Sequence, residues 1–365
     1  MRSVGSAAST VAGVAPAARV AGVGQRARAW AAAGVAALTV TALTVTGGLA
    51  AAGGTAGAAT SARTSGQGVA GQGVAGHGVA GQGVAASSAT GPDAQAAVHS
   101  VGAGAQAAAS GFWTQARMKS ATGVGAGGAV TASPQADPAP PPGTPDPVYF
   151  NGVPTVGALF FTTGTQAHFC TASVVDSATL DLLLTAAHCV YGNSGPATNV
   201  VYVPEWHQGV SPYGAWPVKT ITVAAGWQQS ENPDLDFAFL AVTPPAGGHK
   251  PIQLVTGGLR LGINTPYAQA ITPIGYNNTD DRPIKCATRS LKFEPTQIEF
   301  YCNNYQDGTS GGPWITHFNP KTGAGTVIGE IGGYEQGGDY AWQSFSPYYS
   351  WPILRLFAQA ELRHL

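Results

Sequence analysis

Beyond residue 147 the chain alternates short runs of apolar and β-branched residues with turn-forming residues, at 155–162, 169–175, 180–185, 200–203, 218–224 and 237–242. Runs of this length bounded by Gly, Pro, Asn and Asp predict strands, and six in succession predict a small barrel. The Pro- and Gly-rich stretch 243–251 reads as a crossing, and a second series follows at 270–276, 284–291, 297–301, 314–317 and 326–331. Near the end, Ser350, Trp351 and Pro352 precede Ile353, Leu354, Phe357 and Ala360 at helical spacing, a capped helix start. The expected fold class is all-β, with an N-terminal barrel over 147–248, a C-terminal barrel over 249–350 and a C-terminal helix over 351–365.

The residues before 147 read differently. Arg19, Arg26 and Arg28 precede an apolar run at 30–45, and Ala50-Ala51-Ala52 offers a cleavage point, so 1–52 reads as a signal peptide. The apolar run falls short of the ~20 residues of a spanning helix, which favours cleavage and secretion over a membrane anchor through 30–45. After signal removal no stable membrane association is expected. Residues 66–85 repeat the unit Gly-Gln-Gly-Val-Ala, with His77 replacing Gln once. A unit so short and rich in glycine has no face to bury, so it is a spacer. The whole of 53–146 is expected to be a disordered, low-complexity pro-region or linker. One segment departs from this: Phe112-Trp113-Thr114-Gln115-Ala116-Arg117-Met118 carries large side chains suited to docking on a folded domain.

Charge adds little. With 17 basic and 18 acidic residues the net charge is −1, no basic cluster stands out, and no nucleic-acid partner is expected. Four cysteines behind an export signal fit an oxidising compartment. The spacings Cys-x-x-Cys and His-x-x-x-His are absent, so no metal and no cofactor are expected.

Candidate chemistry lies in three motifs. Gly308-Thr309-Ser310-Gly311-Gly312-Pro313 places a serine in a small-residue turn where backbone amides and a hydroxyl can converge. Leu182 to Thr185 is an apolar strand running into Ala186-Ala187-His188-Cys189. Asp236 opens the apolar run 237–242, where an ionised group needs a partner such as an imidazole N–H; Asp234, after Pro233, is the second candidate for that role.

Together these motifs resemble the chymotrypsin-like (trypsin-like) serine peptidases, whose nucleophile lies in Gly-x-Ser-Gly-Gly-Pro and whose base lies in Thr-Ala-Ala-His-Cys. The resemblance covers roughly 150–360. It implies two six-stranded antiparallel Greek-key barrels, a catalytic set of His188, Asp236 and Ser310, and an oxyanion hole from the amides of Gly308 and Ser310. It also implies a bridge between Cys170 and Cys189, which in the chain-entropy model adds about 3 kcal/mol while fixing the loop of His188. Cys286 and Cys302 remain as a second pair across a turn at 294–297. The expected activity is that of a secreted serine endopeptidase acting on protein or peptide substrates through an acyl-enzyme, as a monomer. A peptidase-like binding protein without activity and an esterase on the same residues are the alternatives.

Three departures qualify the resemblance. Thr309 stands where the animal digestive members carry the aspartate that receives a new N-terminus, so this chain resembles the secreted bacterial branch that includes glutamyl endopeptidases. In that branch a pro-arm ahead of the peptidase domain carries a short motif similar to 112–118, and removal of this arm, expected here by a cut within 138–149, turns a zymogen on. Asn304 stands six residues before the nucleophile, where the trypsin pattern has a specificity aspartate. The strand after the nucleophile, 327–334, lacks the histidine expected for glutamate specificity. It offers Ile331, Gly332 and Gly333 as substrate-binding positions, where a peptide could add as a strand.

Overall fold

The computed structural model describes residues 95–125, 138–277 and 281–362. The signal peptide expected over 1–52 and the repeat at 66–85 lie outside them. In the first half, strands Val156–Thr163, Gln166–Val174, Leu182–Thr185, Ala238–Val242, Trp216–Ala224 and Thr198–Pro204 pair antiparallel in that order. Thr198–Pro204 then pairs back onto Val156–Thr163, which closes a six-stranded ring. Each predicted run of this half falls on one of these strands, with ends shifted by at most three residues.

Two of the ring strands are apolar on both faces, and the reason is visible in their packing. Leu159, Phe161, Val200 and Tyr202 point into the main core. Their neighbours Ala158, Phe160, Val201 and Val203 point outward into a second cluster with Trp206 and Tyr276. A strand covered on both sides loses the polar alternation of a half-exposed one.

The cover is the segment expected to be disordered. Residues 95–125 form the strand Ala96–Ser100, the helices Ala103–Phe112 and Gln115–Ser120 and the short strand Thr122–Gly123. Ala96–Ser100 extends the ring beside Trp216–Ala224, with Ala96 opposite Ala224. Ala109, Trp113 and Met118 are buried in the outer cluster, and the Trp113 indole donates to the Asn199 carbonyl at 2.6 Å. Thr114 caps the second helix by accepting from the Arg117 amide. Composition misleads here because the apolar surface that orders the arm belongs to the barrel. Burying Trp113 and Met118 is worth about 1.5–3 kcal/mol each.

The second half is divided between two sheets. One has seven strands, running Arg260–Leu261, Thr326–Glu330, Pro313–Thr316, Ala270–Tyr276, Pro283–Lys285 and Val148–Tyr149, with Thr288–Arg289 also beside Ala270–Tyr276. The other has three, Leu291–Lys292, Gln297–Tyr301 and Gln343–Pro347. The run expected as one strand at 284–291 is thus three short pieces. Facing it is Pro273, which has no amide to give, and the ladder breaks between the pairs Ile274–Lys285 and Ile271–Thr288. Gln343–Pro347 has no apolar run to announce it; Ser344 and Ser346 are buried, and Ser346 Oγ accepts the Glu330 amide at 3.0 Å. The closing helix is Trp351–Leu362, packing Ile353, Leu356 and Ala360 into the main core.

Candidate active site

The His188 turn begins where Leu182–Thr185 ends. Ala186 leaves the strand and starts the single helical turn Ala187–Val190, which carries His188. Cys189 is bonded to Cys170 of the neighbouring strand, so the turn is tied covalently to the ring. The second bridge joins Cys286 to Cys302.

Asp236 arrives from the other side. Asn232 caps Asp234 at 3.0 Å, Pro233 begins the short 3-10 turn Pro233–Leu235, and Asp236 closes it just before Ala238–Val242. Its carboxylate is fully buried and accepts three N–H donors. Oδ1 takes the His188 amide at 2.9 Å, while Oδ2 faces His188 Nδ1 at 2.8 Å and takes the Gly333 amide at 2.8 Å. Asp234, two residues away, instead accepts Gln297 Nε2 at 2.8 Å. Only Asp236 of the two candidates meets the imidazole.

Ser310 sits in a turn pinned by backbone bonds. Its carbonyl accepts the Thr171 amide at 2.8 Å, Gly311 donates to the Ile331 carbonyl at 2.7 Å, and Gly312 donates to the Thr309 carbonyl at 2.8 Å. Thr171 Oγ1 donates to the Gly308 carbonyl at 2.9 Å. Gly308 and Gly311 have φ of +92° and +76°. A Cβ on Gly311 would lie 2.2 Å from both Thr171 O and Thr185 Oγ1, so the Ser310 turn needs glycine to pack on the strand that leads to His188. The His188 Nε2 atom is buried with no hydrogen-bond partner among the described residues.

Beside Ser310 lies a cavity of about 300 Å³ lined by Tyr305, Asp307, Thr309, Ile331, Tyr340 and Ser344 among others. Of the three positions expected to pair with a peptide, Ile331 has both its backbone groups committed, its amide to the Gly312 carbonyl at 3.0 Å and its carbonyl to Gly311. Its side chain lines the cavity instead. The Gly332 amide is also used, on the Phe345 carbonyl at 3.0 Å. Asn304 lies outside the lining; its Nδ2 donates to the Tyr149 hydroxyl at 3.2 Å and its carbonyl accepts from Asn277.

A buried carboxyl that the sequence did not point to lies behind Asp236. Glu330 ends the strand Thr326–Glu330 with no exposed surface, Oε2 accepts the Tyr349 hydroxyl, and Oε1 has no partner among the described residues. Burial, reinforced by the negative Asp236, pushes its pKa well above the ordinary carboxylate range. Burial also raises the pKa of Asp307. Among the described residues, one group of three metal-ligating side chains converges, Cys170, His188 and Cys189. Both sulfurs are in the disulfide, so the thiolates a metal would need are absent.

Two β halves, with the serine turn of one packed on the histidine-bearing strand of the other, form a chymotrypsin-like serine peptidase fold. The trypsin family model matches residues 146–351, more than half of the chain, and the chain belongs to that family as a serine endopeptidase. Among solved structures, the protease Anisep from Arthrobacter nicotinovorans is similar at 24% identity and a TM-score of 0.52, over 59% of this chain and 98% of that one. A thermostable serine protease, AL20, from an extremophilic microorganism is similar at 25% identity and a TM-score of 0.51, over 57% and 97%. No curated protein sequence matches the chain. The arm at 95–125 precedes the residues matched by the family model.

Proposed function

We propose that the endopeptidase works through an acyl-enzyme, with Ser310 as nucleophile, His188 as general base and acid, and Asp236 as the group that orients His188. The observation that carries this reading is the Asp236 carboxylate, buried and anchored by three N–H donors, one of them the His188 ring. A carboxylate so fixed holds Nδ1 protonated and leaves Nε2 to take the serine proton. Ser310 Oγ attacks the scissile carbonyl carbon as its proton passes to Nε2, and the amides of Gly308 and Ser310 receive the charge on the oxygen. His188 then returns the proton to the leaving amine as the C–N bond breaks. Water, deprotonated by His188, attacks the acyl group, and the acid product leaves with Ser310 restored.

The acyl half of the peptide lies on the side of the Ser310 cavity and Ile331, Gly332 and Gly333, and the leaving half extends past His188. Two disulfides support export to an oxidising compartment, in line with the signal peptide expected over 1–52. Treating the processed protein with a fluorophosphonate, followed by peptide mapping, should place the label on Ser310. Ser310→Ala should fold as the parent does and lose both labelling and peptide hydrolysis. A processed, folded protein that takes no label turns the reading toward a binding protein on the same scaffold. Cleavage of activated esters without peptides turns it toward an esterase.

A further inference from the structure

The arm at 95–125 reaches into the site at residues 122–125. After Trp113 and Met118 fill the outer cluster, Thr122–Gly123 runs parallel to Gln166–Val174, with Gly123 opposite Phe169. Val124 donates its amide to the Phe169 carbonyl at 3.0 Å, and its carbonyl accepts the Gly308 amide at 2.9 Å. That amide is one of the two donors assigned above to the substrate oxyanion. The approach is close enough to require glycine at 123, where a Cβ would lie 2.5 Å from the Asp307 backbone and 2.6 Å from Gly308 N.

The direction of the chain matters as much as the hydrogen bond. Val124 lines a cavity of about 260 Å³ with His188, Cys189, Phe161 and His168, on the leaving-group side. Gly125, the next residue, lines the cavity beside Ser310, on the acyl side. A substrate runs the other way, with its acyl residue in the Ser310 cavity and the following nitrogen toward His188. In the arm the nitrogen that follows the Val124 carbonyl lies on the Ser310 side, away from the imidazole that must protonate a leaving amine. A carbonyl held in this sense fills a donor of the site without offering a cleavable bond.

We propose that residues 95–125 are a built-in inhibitor that binds in the reverse direction to a substrate, keeping the full chain latent by placing the Val124 carbonyl on the Gly308 amide. The proposal rests on the roles given above to Ser310, His188 and Gly308. The occupant is supplied by the chain itself, and its docking surface is the outward apolar face of the ring. Release of the arm frees the Gly308 amide and opens the leaving-group cavity.

The test uses the full chain with two readouts, Ser310 labelling by a small fluorophosphonate and hydrogen exchange at the Gly308 amide, the latter in a Ser310→Ala background that prevents self-cleavage. Gly123→Val forces residues 122–125 off the Asp307–Gly308 backbone. It should raise the labelling rate at least about tenfold, since an occupied site reacts only in proportion to its open fraction. Gly308 exchange should quicken by a similar factor. Val124→Pro removes the donor to Phe169 and should act in the same direction if Gly123→Val fails to fold. A parent chain labelled as fast as Gly123→Val overturns the proposal, as does Gly308 exchange unchanged by both substitutions. Failure of the catalytic reading has a different signature: Gly308 exchange quickens, yet no form takes label, and the inhibitory role then falls with it.

Discussion

Each half of the enzyme buries one fully inaccessible carboxyl near the site, and the two are treated in opposite ways. Asp236, from the first half, accepts three N–H donors that come from both halves. Glu330, from the second, has one hydroxyl on Oε2 and, among the described residues, no partner on Oε1. The donors to Asp236 are backbone and ring groups on segments held by the closed ring, a disulfide and the end of Thr326–Glu330, so they cannot drift away. For Glu330, burial and the negative Asp236 outweigh the pull of its own backbone N–H and raise its pKa well above the ordinary carboxylate range. Inaccessibility alone therefore does not suit a carboxyl to orient an imidazole; the supply of rigid donors does.

The halves also differ in what holds their functional groups. His188 is held by a covalent tie and a closed sheet, whereas Ser310 is held by backbone bonds and glycines in an opened one. Breaking the contrast at its strongest point, Asp236→Asn should lower kcat about 10⁴-fold by presenting the wrong His188 tautomer. Asp234→Asn should leave kcat within about threefold, because Asp234 meets Gln297 and not the imidazole. Similar losses in steady-state peptide hydrolysis for both would erase the distinction drawn between the two carboxylates.

Next in size, Gly311→Ala places a Cβ into Thr171 and Thr185 at a positive φ. It should cost about 2–5 kcal/mol in urea unfolding, summing left-handed strain and overpacking. A loss below about 1 kcal/mol would show that the nucleophile turn can move away from the first half. Replacing Cys170 and Cys189 together by alanine should cost about 3 kcal/mol and reduce activity in the protein that remains folded, since that bridge holds the His188 turn. The same change at Cys286 and Cys302 should reduce stability with little effect on the kcat of the folded fraction. Equal effects on kcat would remove the argument that only the first bridge positions a reacting group.

Within any one pH unit the smallest expected effect is at Glu330, and it sharpens the first comparison. Its folded-state pKa is raised above the ordinary value of 4.5, so the unfolded chain releases that proton first as pH climbs. The carboxyl's contribution is full below about pH 4.5 and declines above it by up to about 1.4 kcal/mol per pH unit, until the folded group ionises too. Glu330→Gln should remove that slope, so its stability relative to the parent improves from pH 4.5 to 7.5. Parallel stability curves for parent and variant would mean that Glu330 does not hold its proton.

Read by itself, the sequence located the strands of the ring to within a few residues, because short apolar runs between turn residues are a local signal. It also singled out His188, Asp236 and Ser310 through three local strings, and the fold carries the first two into direct contact. The arm was illegible beyond Phe112 to Met118, since what orders it is the outward face of Phe160, Val201 and Val203, far along the chain. Asn304 read as the position where a specificity aspartate would stand. Only the tertiary structure turned Glu330 inward behind Asp236 and Asn304 away toward Tyr149. Local pattern determines which residues make a strand or a turn. Burial, hydrogen-bond partners and the direction in which a segment crosses a site depend on residues from about twenty to well over a hundred positions away, and no local window contains them.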